Sequence, residues 1–459
     1  MLIVVPEYRL WIKFHPLGAL SIAAVMREAG ADVEFLDGGI LKTNLFEAVK
    51  SSIGRHSMVG ISANISHAYS AIQLAAMIRE EFPEKIIVWG GAFATIEYEK
   101  LLPLHADVVV LGEGEIQAVA LAKNVPFADI PGIAYWDNSE KRIFVNSRPD
   151  YIQDLDSLPF PALDLTCDLS YTVPGWRPAY SIITERGCPY HCVNCTKVIH
   201  GNRFRTRSAE NVIKELEILV DRFNAKEIHV WDDNFTLNPE RAKEICRKII
   251  AHGLHEKLRF ALPNGIRADI NDEELFDLMR DANFYFAFVA VESADQNVIN
   301  SLEKGLDLAK VEATVNALVQ RGFRIGLFFM MGLPFDSIAS LRQNAKFAAS
   351  LPAHHAFFWR VTPFPGTKLY DISVGAEKST TTSYLEDFIS YDRPSGRSAN
   401  RDIPPRTLSY HIWRAHLIFY MSRWRLLRIL SKFIEEKNLI SDLTFLVKCG
   451  VKLIFTGHR

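Results

Sequence analysis

Short apolar runs at Leu2–Val5, Val33–Leu36, Met58–Ser62, Ile86–Trp89 and Val108–Leu111 alternate with helix-length stretches such as Ala19–Glu28 and Ala68–Glu81. Strict alternation of strand and helix predicts an α/β domain with a doubly wound, Rossmann-like parallel sheet. In such sheets the loops leaving the carboxyl ends of the strands build the ligand crevice. Here those loops carry Ser62-Ala63-Asn64, Gly90-Gly91 and Gly112-Glu113-Gly114-Glu115. Beyond them, Gly132–Trp136 and Ile143–Val145 flank a polar turn and predict a hairpin. The run Leu158-Pro159-Phe160-Pro161-Ala162 then predicts a rigid extended spacer, because each proline also restrains the residue before it.

The second half repeats a strand–helix pattern six times. Its apolar segments are Tyr180–Thr184, Glu227–Trp231, Phe260–Pro263, Tyr285–Val291, Ile325–Met331 and Phe357–Thr362, with helices such as Ala209–Phe223 and Pro239–Ala251 between them. Six units predict a partial (β/α)6 barrel, whose chemistry gathers at the carboxyl ends of its strands. Polar residues stand at those ends: a cysteine loop after the first strand, Asp232-Asp233 after the second, Asn264 and Arg267 after the third, Glu292-Ser293 after the fourth. Each also suits a helix cap or a surface ion pair. The expected organisation is a doubly wound domain at 1–125, a hairpin and linker at 126–175, the partial barrel at 176–370 and a helical C-terminal region at 371–459. Leu408–Phe433 has the periodicity of an amphipathic helix that caps a domain or, being basic, approaches a membrane or lipid-like substrate.

Composition narrows the classes. With 52 Lys+Arg against 54 Asp+Glu, the net charge of -2 supplies no general field for a phosphate backbone, so nucleic acid is not an expected partner. Six cysteines in 459 residues, three of them in one motif, exclude a disulfide framework and fit a reducing cytoplasm. Met1–Val5 lead directly into a strand-like segment with polar Glu7 and Arg9, unlike a signal peptide. The apolar stretch from Leu439 to Phe455 is interrupted by Asp442, Lys448 and Lys452 and falls short of a membrane span.

The motif is Cys188-x3-Cys192-x2-Cys195. A zinc site would ordinarily add a second pair of ligands downstream, and none follows. A [4Fe-4S] cluster takes four thiolates, so three leave one iron open to a further ligand. Cys167 in the spacer reads as a shielded linker thiol rather than a fourth ligand. The trio resembles that of the radical S-adenosylmethionine (SAM) enzymes, with Asn194 where that family often has an aromatic residue.

The first half resembles the cobalamin-binding domain of the cobalamin-dependent radical SAM branch. Ser62-Ala63-Asn64 is separated from Gly90-Gly91 by residues 65–89, Gly18 closes Lys13-Phe14-His15-Pro16-Leu17-Gly18, and Gly112-Glu113-Gly114-Glu115 follows. The resemblance implies cobalamin contacts at His15, Gly18, Ser62, Asn64, Gly90, Gly91, Gly112 and Glu113. His15 falls where a cobalt-ligating histidine would lie, but Lys13 replaces the aspartate that would orient it, so cobalamin held without a protein ligand is the favoured expectation. The same resemblance implies cluster ligation by Cys188, Cys192 and Cys195, and SAM contacts at Asp232, Asp233, Arg267, Glu292 and Ser293. Ala290 stands where that family has glycine. Phe329–Pro334 and Thr362–Thr367 extend the match.

What the resemblance implies is a methyltransferase using a [4Fe-4S] cluster, SAM and cobalamin to methylate an unactivated carbon of a small-molecule or lipid-like intermediate, with a flavodoxin- or ferredoxin-type reductant. A cyclase or rearrangement enzyme of the same branch is the alternative, and a non-catalytic cobalamin sensor a more distant one. A transfer-RNA methylthiotransferase would carry three further cysteines in residues 1–150, which hold none.

Overall fold

The computed structural model describes residues 1–7, 13–166, 171, 178–374, 399–422 and 425. Cys167, part of the helix expected over 408–433 and the apolar stretch at 439–455 lie outside these. The chain forms two compact units, Met1–Pro189 with Lys197–Asp232 and Tyr190–Thr196 with Asp233–Arg459.

In the first unit, strands β1 (Leu2–Val5), β2 (Glu34–Asp37), β3 (Met58–Ser62), β4 (Ile86–Gly90) and β5 (Val108–Val110) alternate with helices α1 (Leu17–Glu28), α2 (Leu45–Ile53), α3 (Ala68–Glu81), α4 (Ala92–Leu101) and α5 (Glu115–Ala122). All five strands are parallel, in the order β2-β1-β3-β4-β5. That order reverses between β1 and β3, which opens a crevice beyond the strand ends. The expected hairpin, β6 (Ile133–Asp137) with β7 (Arg142–Val145), does not stand apart as a linker: β6 pairs antiparallel with β5 and extends the sheet. Trp89 and Phe93, both fully buried, anchor the core, and Trp89 Nε1 donates to the His105 carbonyl at 2.8 Å.

The same unit contains β8 (Ala179–Ile182), the short antiparallel pair β9 (Glu185–Arg186) and β10 (Arg205–Thr206), helix α6 (Ala209–Phe223) and β11 (Glu227–Val230), which runs parallel to β8. Ser208 caps α6 by accepting from Asn211 N, and Asn224 ends it in the left-handed conformation, so both ends of this helix are written in polar residues.

The second unit adds α7 (Pro239–Ala251), β12 (Arg259–Arg267), α8 (Glu273–Asp281), β13 (Phe284–Glu292), α9 (Gln296–Ser301), α10 (Leu308–Gln320), β14 (Arg324–Met331), α11 (Ile338–Ser350), β15 (His355–Arg360), α12 (Lys368–Val374) and α13 (Pro405–Tyr420). Strands β12 to β15 pair in parallel, each with the next. With β8 and β11 they make the six strand–helix repeats expected. One strand differs: β12 passes through Pro263 to Arg267, so Asn264 lies inside it. A register shift between Leu262 and Ile266, with Gly265 at φ 94°, absorbs the proline that cannot donate to a ladder.

The approach to α13 is fixed by Asn400. Its buried side chain donates to the carbonyls of Leu333 (2.7 Å) and Asp336 (3.0 Å) and accepts from the N–H groups of Asp402 and Ile403. Replacing it with leucine strands these buried groups, and Asn400→Leu is expected to cost about 3 kcal/mol, read as a lowered denaturation midpoint with an unchanged slope in urea.

Candidate functional site

In the first unit the carboxyl ends of β3 and β4, with the start of α1 and the loop that follows β5, meet around a cavity of about 300 Å³. Gly18, Ser62, Gly90, Gly91, Gly112 and Glu113 all line it. Gly91 has φ 95° and a Cβ there would lie 2.5 Å from the Ala63 carbonyl oxygen, so only glycine serves. At Gly18 and Gly90 a Cβ would meet nothing within 4 Å. Their missing side chains leave open space at the wall of the cavity, a cradle suited to a large cofactor approaching backbone.

His15 and Asn64 are not in that lining. The His15 ring is buried between Tyr171 and Tyr180, with centroids 4.1 and 5.1 Å away, and its Nδ1 has no hydrogen-bond partner. Burial, and secondarily the nearby His229, lowers its pKa to about 4, so it is held neutral. The Asn64 side chain caps the turn before α3 by accepting from Ser66 N, and its own N–H donates to His67 Nδ1.

Glu113 is the hub of a buried ion network. Both its oxygens accept from Arg205 (2.8 and 3.0 Å), His200 Nδ1–H donates at 2.9 Å, and Arg186 lies 3.3 Å away. Arg186 also donates to Glu115 at 2.6 Å. Burial pushes the Glu113 carboxyl up, but the hydrogen bonds from His200 and Arg205 and the charges of Arg186 and Arg205 outweigh it and hold the pKa at about 2. The carboxylate expected at a cofactor is thus engaged by protein cations, and the two acids of the Gly112–Glu115 loop clamp Arg186. The sequence offered a signal for this: a cation directly before Gly187-Cys188 and a doubled acid in a glycine turn.

The cysteine loop is shaped by backbone contacts that leave its sulfurs outside any disulfide. On the side of the first unit, Gly187 has φ 82° and a Cβ there would stand 2.3 Å from the Arg203 carbonyl oxygen, while Lys197 Nζ donates to the Cys188 carbonyl at 2.5 Å. On the side of the second, Cys195 N donates to the Cys192 carbonyl, Val193 N to the Leu302 carbonyl, and Leu369 N to the Val193 carbonyl. Cys188 and Cys192 are half-buried and Cys195 is exposed. Three thiols are the donor type an iron–sulfur cluster takes, while among the described residues no three metal-ligating side chains converge on one point.

Among the residues expected at SAM, Asp232 turns its carboxylate onto Thr184, accepting from both N (2.5 Å) and Oγ1 in the first unit. Asp233 is exposed. In the second unit Ser293 is fully buried and faces α11, where Asn344 Oδ1 accepts from its hydroxyl (3.3 Å) and from Ala294 N (2.6 Å). Arg267 pairs with Asp269, donates to the carbonyls of Lys304 and Gly305 (3.0 and 3.1 Å), and lies 4.2 Å over the Tyr190 ring. Glu292 ends β13 at φ 67°, a strained value for a non-glycine residue, beside a register shift. Lys304, buried, donates to Glu292 Oε1 at 2.8 Å and to the Ala290 carbonyl. The segment Leu302–Gly305 therefore joins Arg267, Glu292 and the cysteine loop; nothing in its local pattern marks Lys304 as part of a site.

The chain matches the B12 binding domain family over residues 12–122 and the Radical SAM superfamily over 182–348. An uncharacterized methyltransferase of Pyrococcus horikoshii is 30% identical over 369 residues, 78% of each chain. Cytidylyl-2-hydroxyethylphosphonate methyltransferase of Streptomyces wedmorensis is 26% identical over 419 residues, 77% of each chain. The solved radical SAM methyltransferase TsrM of Kitasatospora setae, with cobalamin and a [4Fe-4S] cluster bound, has the same fold, with a TM-score of 0.67 and 18% identity over 82% of this chain and 79% of that one. The protein belongs to the cobalamin-dependent radical SAM enzymes, whose cofactors are a [4Fe-4S] cluster, SAM and cobalamin. No helix among the described residues is long and apolar enough to cross a membrane.

The Glu113 network has a pH signature. A carboxyl whose pKa is lowered from 4.5 to about 2 contributes its stability fully above pH 4.5 and loses it as the pH falls toward 2. The loss is roughly 3 kcal/mol. Unfolding free energy measured between pH 5 and 2.5 is expected to fall more steeply in the native protein than in Glu113→Gln, which lacks this titration.

Proposed function

We propose that the protein methylates an unactivated carbon of a small-molecule or lipid-like biosynthetic intermediate, accepting electrons from a flavodoxin- or ferredoxin-type reductant. When bound, the cluster and SAM supply a 5'-deoxyadenosyl radical that takes hydrogen from the substrate, and cobalamin carries the methyl group delivered to it. The observation that carries this reading is the glycine-lined cavity, six of whose lining residues were expected at cobalamin, in a chain that also presents the cysteine trio.

The chain's own residues divide the work. Cys188, Cys192 and Cys195 hold the cluster, and Gly187 keeps their loop against the Arg203 carbonyl. Gly18, Gly90 and Gly91 let the main chain approach cobalamin, with Ser62 and Gly112 at the same wall. Glu292, an acceptor-only side chain, receives ribose hydroxyls of SAM while Lys304 fixes its carboxylate. Arg267 stacks on Tyr190 within the motif and stiffens it. The bound of residue 176 between the cobalamin and radical SAM regions belongs to this proposal as well, whereas His15, buried between Tyr171 and Tyr180 and outside the cavity lining, is given no part in holding cobalamin.

The two cofactor sites are separable by mutation. Protein reconstituted anaerobically with iron, sulfide and cobalamin is expected to form 5'-deoxyadenosine from SAM under reductant, and Cys192→Ala to abolish it while retaining cobalamin. Gly18→Leu, which fills the cradle without backbone strain, is expected to weaken cobalamin binding at least tenfold while the cluster absorbance is unchanged. Loss of both cofactors together in either variant would contradict the assignment.

Lys304→Met frees the Glu292 carboxylate at a strained position. SAM binding measured by anaerobic equilibrium dialysis is expected to weaken about tenfold, the equivalent of about 1.4 kcal/mol, with iron and cobalamin contents unchanged.

A further inference from the structure

The strands of the second unit have two different faces. On one, Val289, Val291, Leu327, Phe329, Met331 and Phe358 are buried, and helices α8, α10, α11 and α13 pack on these strands. The Tyr420 hydroxyl, at the end of α13, accepts from Ala356 N at 3.5 Å, and the His416 ring meets Phe358 edge-on at 5.1 Å, which places α13 on that same face. This face supplies the core.

The other face carries a second aromatic set that the core does not use. Phe286, Phe288, Phe328 and Phe357 are half-buried and Trp359 is 58% exposed. Their rings form one connected wall across β13, β14 and β15, with centroid separations of 4.9 Å from Phe286 to Phe288, 4.1 Å to Phe328, 6.1 Å to Phe357 and 5.7 Å to Trp359. Gly326 makes room for it: a Cβ there would stand 2.3 Å from the Phe288 ring. A strand glycine weakens its sheet unless something must approach closely, and here that something is a ring laid over the backbone.

The wall leads to the chemistry. Met330, two residues beyond Phe328 and on its face, accepts from Asn194 Nδ2 at 3.5 Å, and Asn194 directly precedes Cys195. Phe328 is the register partner of Ala290, whose carbonyl is held by the lysine that fixes Glu292. Contiguous apolar surface left partly open beside a site marks a ligand-binding surface.

We propose that this wall is the substrate-binding surface and that the substrate offers it an uncharged apolar carbon skeleton, packed by ring stacking and CH–π contact, rather than a nucleotide or other polyanion. This rests on the reading above that the cysteine loop and Glu292 hold the cluster and SAM.

The test uses the reconstituted holoenzyme and equilibrium dialysis against a neutral naphthalene, 6-propionyl-2-(dimethylamino)naphthalene, with cytidine 5'-monophosphate as the polyanionic comparison. The naphthalene is expected to bind saturably and the nucleotide not to compete. Trp359→Gln, at an exposed position, and Phe328→Gln are each expected to weaken it at least tenfold, while Tyr410→Gln on α13, also exposed, leaves it unchanged. Binding unaffected by both wall variants, or competition by the nucleotide, overturns the proposal. Formation of 5'-deoxyadenosine by the native holoenzyme and by Tyr410→Gln reads the underlying assignment separately: its absence from the native holoenzyme overturns the radical SAM reading, whatever the naphthalene does.

Discussion

The constraint on which the cysteine motif depends is that a loop with almost no secondary structure must take a defined main-chain path. A loop of that kind cannot draw rigidity from its own hydrogen bonds, so neighbouring main chain must supply it. Gly187 sits against two carbonyl oxygens in a conformation that side chains avoid, and Val193 is bound through both its N–H and its carbonyl, to Leu302 and Leu369. The consequence is that the path of the loop is set by its main chain. It also explains why the residues between the cysteines vary in demand: Tyr190 is held under Arg267 and Asn194 reaches Met330, whereas no single side chain must do what the main chain already does.

Charged groups near the sites are used as fixtures. Ion pairs gain little at a protein surface but are costly to break once buried, because the orphaned partner cannot return to water. Glu113 with Arg205, His200 and Arg186 in the first unit, and Glu292 with Lys304 in the second, are of the buried kind. In each case the carboxylate sits at a turn whose backbone is under constraint, Gly112 at φ 93° and Glu292 at φ 67°. A buried cation holding a strained turn is a way to keep a binding loop in its working shape before the cofactor arrives, and so to lower the ordering cost of binding.

Much of this architecture was legible in the sequence. The helices at Ala68–Glu81, Ala209–Phe223 and Pro239–Ala251 begin and end where periodicity places them, and the parallel pairing of the strands follows from alternation, whereas their order does not. The spacing of Ser62, Gly90-Gly91 and Gly112 delivered residues that do line one cavity. What pattern could not show was what each side chain faces. Asp232 and Ser293 stand at strand ends as expected, yet Asp232 turns back onto Thr184 and Ser293 toward α11, since a two-residue period says which side of a sheet a residue takes but not which partner wins it. Lys304 escaped because its role is made by distance in space from Glu292, twelve residues away. The end of β12 escaped because a proline ordinarily stops a ladder, and here a bulge carries the strand past it.

The division of faces in β13 to β15 follows from the same period of two and has a functional side. A sheet that must cover a core on one face and meet a reactant on the other cannot alternate apolar with charged residues as a solvated sheet does, because charge on the reactant face would bring water to a radical. Aromatic side chains on both faces resolve this conflict. One set, Phe329 and Phe358 among it, is sealed under helices and supplies stability; the other, from Phe286 to Phe357, gives the opposite face apolar surface without donor or acceptor, and Trp359, 58% exposed, adds an indole N–H to it. The polar groups proposed to hold the cofactors, Glu292 and the cysteine loop, stand at or beside the carboxyl ends of the same strands, where loops rather than pleats decide what a side chain faces.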